Sequence, residues 1–389
     1  MITKYIKQAW QMMRQNKLFS GIYILGTALA IASTSIFAIV YYVKLAPVYP
    51  EYKRDKLSEL AHFEYDLDDG YRTSSPGVSR MMLNDFFAGL DDVEEVSGYI
   101  QLGTMSFVMS DMKGVPFEGV KRYTDPAFFK IIDYEFVAGA PFSQAEFDSG
   151  VAKAVISDVV ADYFYASPEE AIGKTIEVDF IDYEICGVYR EGSSVNRLSY
   201  AQIIVPYTTT SLANYVAEEN QTAGVLSLII QSDNLPGVKA AVEDYCRKYE
   251  AANDGKKIYM RDQPRSAAVV ALSPDERDEF DLMKVVRYNC LVLLALLIVP
   301  ALNLSGLIAG RMDSRSGELG VRKSFGATGG RLMSQVLWEN LLLTLVGGAL
   351  GLLITWLILS TNATAIFTSI GGSSMYSEKP LEINLTPDM

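Results

Sequence analysis

Histidine is nearly missing from this chain: 389 residues hold one, His62, and cysteine occurs only three times. A single histidine excludes a histidine-rich metal centre, and any Ser-His-Asp triad would have to be built on His62 itself. That residue stands near Glu64 and Asp66 in a strand-like stretch and reads as a surface strand position. Cys186, Cys246 and Cys290 show no CxxC spacing, and Cys290 opens an apolar run. The other two are isolated buried thiols or, outside the cytoplasm, one disulfide; neither makes a framework. A phosphate cradle is missing as well. Gly173-Lys174-Thr175 has the ending of a P-loop, but the glycine required five residues before Gly173 is Pro168. Asp66, Asp68 and Asp69 look like the start of a calcium loop without the bidentate Glu at its twelfth position. No catalytic residue, metal or cofactor is expected. Cationic excess is absent too. Lys and Arg number 34 against 47 Asp and Glu, a formal net charge of -13, which argues against nucleic acid as a partner.

What the chain does have is three long uncharged runs. Gly21 to Val43, Cys290 to Gly310 and Asn340 to Leu359 each have about the length needed to cross a bilayer. A buried soluble helix of that length would carry a polar face. Ala28-Leu29-Ala30 has the small-x-small look of a signal-peptide cleavage site, but the apolar run continues to Val43, so retention as an anchor is expected. Lys4, Lys7, Arg14 and Lys17 precede the first run with no acidic residue among them, which keeps the amino terminus in the cytoplasm. Lys4, Lys7 and Arg14, with Trp10 and Met13 between them, fit an amphipathic helix on anionic headgroups.

The expected order is then a cytoplasmic amphipathic helix over 1–19, a span over 20–43 and an extracytoplasmic α+β domain over 44–286. A span over 287–310, a cytoplasmic loop and helix over 311–335, a span over 336–359 and an extracytoplasmic tail over 360–389 follow. The fold class is an α-helical membrane protein with a large α+β extracytoplasmic domain.

That external domain reads as a split βαβ layer with a β-rich insert. Ser79 to Leu90 has apolar residues at helical spacing and leads into a strand-like run, Val96 to Ile100. Ile176 to Val188 alternates around Asp182 like a hairpin, and Ile203 to Tyr207 and Val225 to Gln231 are β-rich. Pro236 opens an amphipathic helix over Val238 to Tyr249.

Between the last two runs, Arg311 to Arg331 carries more basic than acidic residues in an acidic protein, which places it in the cytoplasm. Glu318 and Arg322 are four apart and support a short surface helix that Gly326 can end. Such a helix is what a soluble motor would push against. Gly306 and Gly310 in the second run, and Gly347 and Gly351 in the third, are GxxxG pairs that let helices approach closely.

Arg315, Glu318-Leu-Gly-Val-Arg-Lys323, Gly326-Ala327 and Glu339 resemble the cytoplasmic loop and third-helix entry of FtsX/MacB-like ABC transporter permeases. Gln15 to Ser20 resembles that family's amino-terminal entry, and Ile172-Gly-Lys-Thr175 through Gly187-Val188 resembles the hairpin of its periplasmic domain. Pro300 to Ser305 and Asp133 to Gly139 resemble permeases of Bacteroidetes-type bacteria. The similarity covers essentially the whole chain.

The resemblance implies a non-catalytic permease subunit of a bacterial inner membrane that pairs as a homodimer or paralogous heterodimer. It implies a separate ABC ATPase on the coupling loop at Arg315, Glu318, Gly320, Arg322, Lys323 and Gly326. ATP-driven closure would move the periplasmic domain in efflux or mechanotransmission, with a periplasmic or outer-membrane partner as a further expectation. The alternative is a membrane-anchored FtsX-like regulator or sensor of a periplasmic or signalling partner. The family has four spans and this chain shows three, so a fourth apolar segment with a short basic tail is expected to follow residue 389 in the natural protein.

Overall fold

A computed structural model describes residues 17–67, 70–100, 105–194, 196–215, 221–272, 281, 283–298, 301, 317, 320–321, 324–325 and 328–371. They divide into a helical unit, up to Tyr42 and again from Asp281 to Ile366, and a second unit made of the described residues of Val43–Phe280 and of Phe367–Leu381.

In the helical unit, the first apolar run forms one unbroken helix, Lys17–Leu45. The last helix runs Gly329–Gly371. Within them Ser20–Leu45 and Asn340–Thr361 are long and apolar enough to cross a bilayer, and only 22% of either window is buried. A soluble core helix would hide most of that surface; these leave it for lipid. Residues 283–298 are helical and hold the first part of the middle run. The rest of that run, Ala301 excepted, lies outside the described residues. The last helix begins before residue 336 and ends after 359. At 43 residues it is about 65 Å long, roughly twice the hydrocarbon thickness. Ser360-Thr-Asn-Ala-Thr-Ala contains no Pro or Gly to stop it, so hydrophobicity sets the span but not the end of the helix.

Ten of the sixteen described strands set the layout of the external unit: β1 (Leu57–Leu60), β2 (Glu95–Ile100), β3 (Met105–Ser110), β4 (Lys113–Thr124), β5 (Lys153–Ser157), β6 (Thr175–Val178), β7 (Ile181–Tyr189), β8 (Ile203–Pro206), β9 (Ser227–Gln231) and β10 (Arg265–Ser266). Four of them form an antiparallel layer in the order β2-β9-β1-β10. Between β1 and β2 lies a short helical stretch, and between β9 and β10 the helix Leu235–Ala252. This is the split βαβ arrangement. Asn234 caps the long helix by accepting from Gly237 N at 3.2 Å, with Pro236 in the first turn, and the helix buries Val238 and Val242. Around Ser79 to Leu90 the expected α-helix is a wide turn, Met82–Phe86, followed by a tight one, Phe87–Gly89, which together bury Met82, Leu83 and Phe87.

The insert between β2 and β9 closes on itself. β3 pairs β4, β4 runs parallel to β8, β8 pairs β5, β5 runs parallel to β7, β7 pairs β6, and β6 returns to β3. The result is a six-stranded ring whose interior holds Val108, Phe117, Ile176, Val178, Ile185 and Ile156. The β6–β7 hairpin reverses at Asp179 and Phe180, not at Asp182, which sits three residues on and pairs with Glu177. Both turn residues have positive φ, 50° and 67°. Asp179 is fixed there because its carboxylate accepts from Phe107 N at 3.0 Å and from Lys121 Nζ at 2.5 Å. Cys186 and Cys246 are free thiols. Burial pushes them up to about 12 and about 11, as expected of inert packing residues.

Candidate functional site

Small residues bring the two long helices together. A Cβ added at Gly347 would lie 2.8 Å from Thr27 Cβ and 3.1 Å from Ile24 O. One at Gly351 would lie 2.7 Å from Ala28 O and 3.0 Å from Ile31 Cβ. Only a residue without a side chain permits that separation of backbones. Polar groups flank the contact. Tyr23 Oη and Thr344 Oγ1 share a hydrogen bond of 3.0 Å, and Thr355 Oγ1 donates to Gly351 O at 3.0 Å and reaches Ala32 O at 3.5 Å. Tyr41 Oη donates to Asn289 Oδ1 at 2.6 Å, tying the first helix to residues 283–298. The sequence reading named the two glycines but not the receiving face, Thr27, Ala28 and Ile31. The signal was present: small residues at 27, 28, 30 and 32 inside an apolar run. Gly306 and Gly310 lie outside the described residues.

Of the coupling-loop residues, Gly320 is described and Arg315, Glu318, Arg322, Lys323 and Gly326 are not. Gly320 is exposed, and a Cβ there would meet nothing of this chain within 4 Å. Around it the chain makes a helical turn: Ser324 Oγ donates to Gly320 O at 3.0 Å and Phe325 N to Val321 O at 3.1 Å. Val321 and Phe325 stand four apart on one face of that turn, 57% and 88% exposed. The helical spacing of this apolar pair is legible in the sequence among the loop's charges.

Just past the first helix, a buried polar joint holds the external unit together. Arg54 Nε lies 3.3 Å from Glu51 Oε2, and its Nη1 donates to Asn196 Oδ1 at 3.3 Å and to Val43 O at 3.5 Å. Asn196 Nδ2 donates in turn to Tyr49 O at 3.1 Å. From the ring, the fully buried Arg122 on β4 donates to Arg197 O at 3.0 Å and to Leu198 O, with its guanidinium 4.6 Å from the Tyr99 ring centre. From the split layer, Glu59 on β1 accepts from Tyr99 Oη and lies 3.9 Å from Arg197 Nη2. The loop joining β7 to β8 is therefore gripped by the segment leaving the helix, by the ring and by the split layer. Removing one of these buried polar groups leaves its partner unsatisfied, at a cost of about 1–3 kcal/mol, so the joint resists bending.

The remaining sequence candidates have structural roles. Glu64 pairs with Arg261 at 2.7 Å and Arg72 at 3.6 Å, while Asp66 accepts from Lys257 N and Tyr259 Oη. His62 O accepts from Gln263 Nε2. Gly173, at φ 76°, turns the chain and donates to Ile185 O at 2.8 Å. Among the described residues no group of three or more His, Cys, Asp or Glu is placed to hold a metal ion.

Residues 20–245 match the model of the MacB-like periplasmic core domain, and residues 290–383 that of the FtsX-like permease C-terminal domain. A pyoverdine export ATP-binding/permease protein of Pseudomonas entomophila is 21% identical over 359 residues, which cover 91% of this chain and 51% of that protein. Its counterpart in Pseudomonas savastanoi pv. phaseolicola is 22% identical over 358 residues, 90% of this chain and 51% of that one. The chain spans about half the length of these relatives. Among solved structures, the extracellular domain of the noncanonic ABC-type transporter YknZ from Gram-positive bacteria covers 51% of this chain at 14% identity and a TM-score of 0.37, with 98% of that chain matched. The periplasmic region of MacB from Actinobacillus actinomycetemcomitans covers 53% at 12% identity and a TM-score of 0.38, with 89% of it matched.

Proposed function

The chain belongs to the MacB-like, FtsX-like family of ABC transporter permeases, and from that premise we propose that it is the non-catalytic subunit through which a separate ATPase moves an extracytoplasmic domain. The observation that carries this reading is the buried joint at Arg54, Asn196 and Arg122. A domain that is moved as one body has to be stiff within itself. Two buried arginines and a buried glutamate, from three parts of this unit, hold one loop and meet that requirement, and a merely tethered domain would not need them.

The ATPase docks on the loop 311–335. Arg315, Glu318, Arg322 and Lys323 pair with its surface, Gly320 allows close approach, Gly326 ends the short helix, and Val321 and Phe325 supply the apolar contact. Exposed aromatic and aliphatic side chains one turn apart are the anchors a helix uses in a partner's groove. The amino terminus and this loop lie in the cytoplasm of a bacterial inner membrane, and the α+β unit lies outside. Two permease chains act together, as a homodimer or with a paralogue, and the work done is export or force transmission to a periplasmic partner. The named relatives are pyoverdine export proteins.

Replacing Glu318 and Arg322 together by Ala tests the coupling. Membrane insertion should be unchanged, while ATP hydrolysis by the co-expressed ATPase loses its dependence on the permease. Unaltered ATPase retention and stimulation would favour the other reading, a membrane-anchored regulator that uses the same external domain without a motor.

A further inference from the structure

The β6–β7 hairpin breaks a rule of turn chemistry in a way the fold does not require. Two-residue turns with positive φ at both centres favour Asn-Gly or Asp-Gly, because glycine holds that conformation at no steric cost and Asn at little, while a bulky side chain is strained there. Here the turn is Asp179-Phe180, and Phe180 holds φ 67° while 91% exposed. Its aromatic ring is buried by nothing, so the cost of the strained backbone is not repaid inside the chain.

The ring beside it presents further apolar surface. Phe107 and Met109 alternate outward on β3, 55% and 40% exposed, with Val108 between them in the core. Across the strands, Phe107 pairs with Glu118, Met109 with Glu177, and Glu177 with Asp182, so all five side chains share the outer face. Among the described residues none of these three carboxylates is in an ion pair. The nearby cations are engaged: Lys121 is buried against Asp179, and Lys113 lies 3.4 Å from the Tyr163 ring centre.

We propose that this outer face, formed by Phe107 and Met109 among Glu118, Glu177 and Asp182 with the Phe180 turn at its edge, docks a basic amphipathic polypeptide segment that offers apolar side chains between lysines or arginines. The charge decides the class of occupant. An anionic lipid surface would be repelled by three uncompensated carboxylates. A second copy laid face to face would oppose acid with acid. Apolar anchors inside a ring of opposite charge are how a protein surface captures a cationic segment. The proposal does not depend on coupling to an ATPase.

The test uses the full chain in phosphatidylcholine nanodiscs and a short Leu/Lys amphipathic peptide bearing a photo-crosslinker, with a Leu/Glu peptide and empty discs as controls. The Leu/Lys peptide should bind in a salt-sensitive manner and crosslink to β3 or to the β6–β7 hairpin. Phe180→Gly restores the preferred turn, so it should leave the melting temperature unchanged or raise it while weakening binding about tenfold or more. Phe180→Asn, also at home in that conformation, should do the same. Glu177→Gln with Asp182→Asn should weaken binding without unfolding the chain. Equal capture of the Leu/Glu peptide, full binding by the Phe180 variants, or crosslinks only to lipid or to a second copy would each overturn the assignment.

Discussion

Asp125 is buried at the end of β4, where it accepts hydrogen bonds from Ser97 Oγ at 2.8 Å, Gly98 N at 2.9 Å and Phe128 N at 3.3 Å. Burial outweighs those bonds and pushes its carboxyl up to about 6 from 3.8. The folded state therefore holds a proton that the unfolded state has already released. The stability tied to this group is full below about 4 and is lost as pH rises through about 6, a change of roughly 3 kcal/mol at most. Asp179 and Glu146 shift the other way, their carboxyls held low by Lys121 and by Ser143. The difference between Asp125→Asn and the parent chain isolates the one contribution. Melting of the two in parallel should show the variant gaining relative to the parent between pH 4 and 7; a flat difference would contradict it. Nothing in the pattern around Thr124-Asp125-Pro126 announces a buried carboxylate. Its burial depends on β2 arriving alongside, a contact that local periodicity does not carry.

At the level of elements, the helix pair offers the sharpest steric test. Gly347→Leu with Gly351→Leu places side chains where Thr27, Ala28 and Ile31 already stand. The membrane unit in detergent should melt several degrees lower, an overpacking cost of about 1–3 kcal/mol per site. Gly21→Leu, in the first helix with nothing within 4 Å of its Cβ, should leave melting unchanged. Equal effects of the two changes would mean that glycine serves helix flexibility and not packing. Elements with a strong local signature were legible: both long apolar helices, the helix led by Pro236, and the strands on either side of the β6–β7 turn. The turn itself was misplaced because alternation marks strands without marking where the chain reverses. Asp182 looked like turn chemistry, while Asp-Phe did not. The split layer could be inferred from helices alternating with strands at both ends of the domain. The closure of the insert could not, because β8 meets β4 and β5 through residues far apart in sequence, and no local pattern encodes such pairings.

For the molecule as a whole, the family and the basic loop between the last two apolar runs were legible in the sequence, with the loop's charges and its glycines standing out and its apolar pair not. Val321 and Phe325 are exposed, and on the proposed reading they give the ATPase an apolar contact in addition to the charges. Val321→Ser with Phe325→Ser should reduce retention of the ATPase at least as much as Glu318→Ala with Arg322→Ala. Pull-down of the tagged chain from detergent extracts in low and high salt would separate the two, since only the charged contribution weakens with salt. The joint at Arg54, Asn196 and Arg122 was invisible in the sequence because its partners, the Asn196 side chain for Arg54 and backbone carbonyls for Arg122, lie on a loop 142 and 75 residues away. Replacing Asn196 by Ala should leave the ATPase bound and hydrolysing while the external domain loses its response to nucleotide, read by a fluorescent pair placed on the split layer and the ring.

The central claim is that a separate nucleotide-driven motor seats on the cytoplasmic loop. It is tested most directly by replacing Phe325 with a photo-crosslinking amino acid in the full chain and irradiating native membranes. Identification of the adduct by mass spectrometry gives the answer. The account predicts one dominant partner, a polypeptide with a P-loop that hydrolyses ATP, lost when Glu318 and Arg322 are both replaced by Ala. Adducts confined to lipid, to this chain or to proteins without a nucleotide site would contradict it.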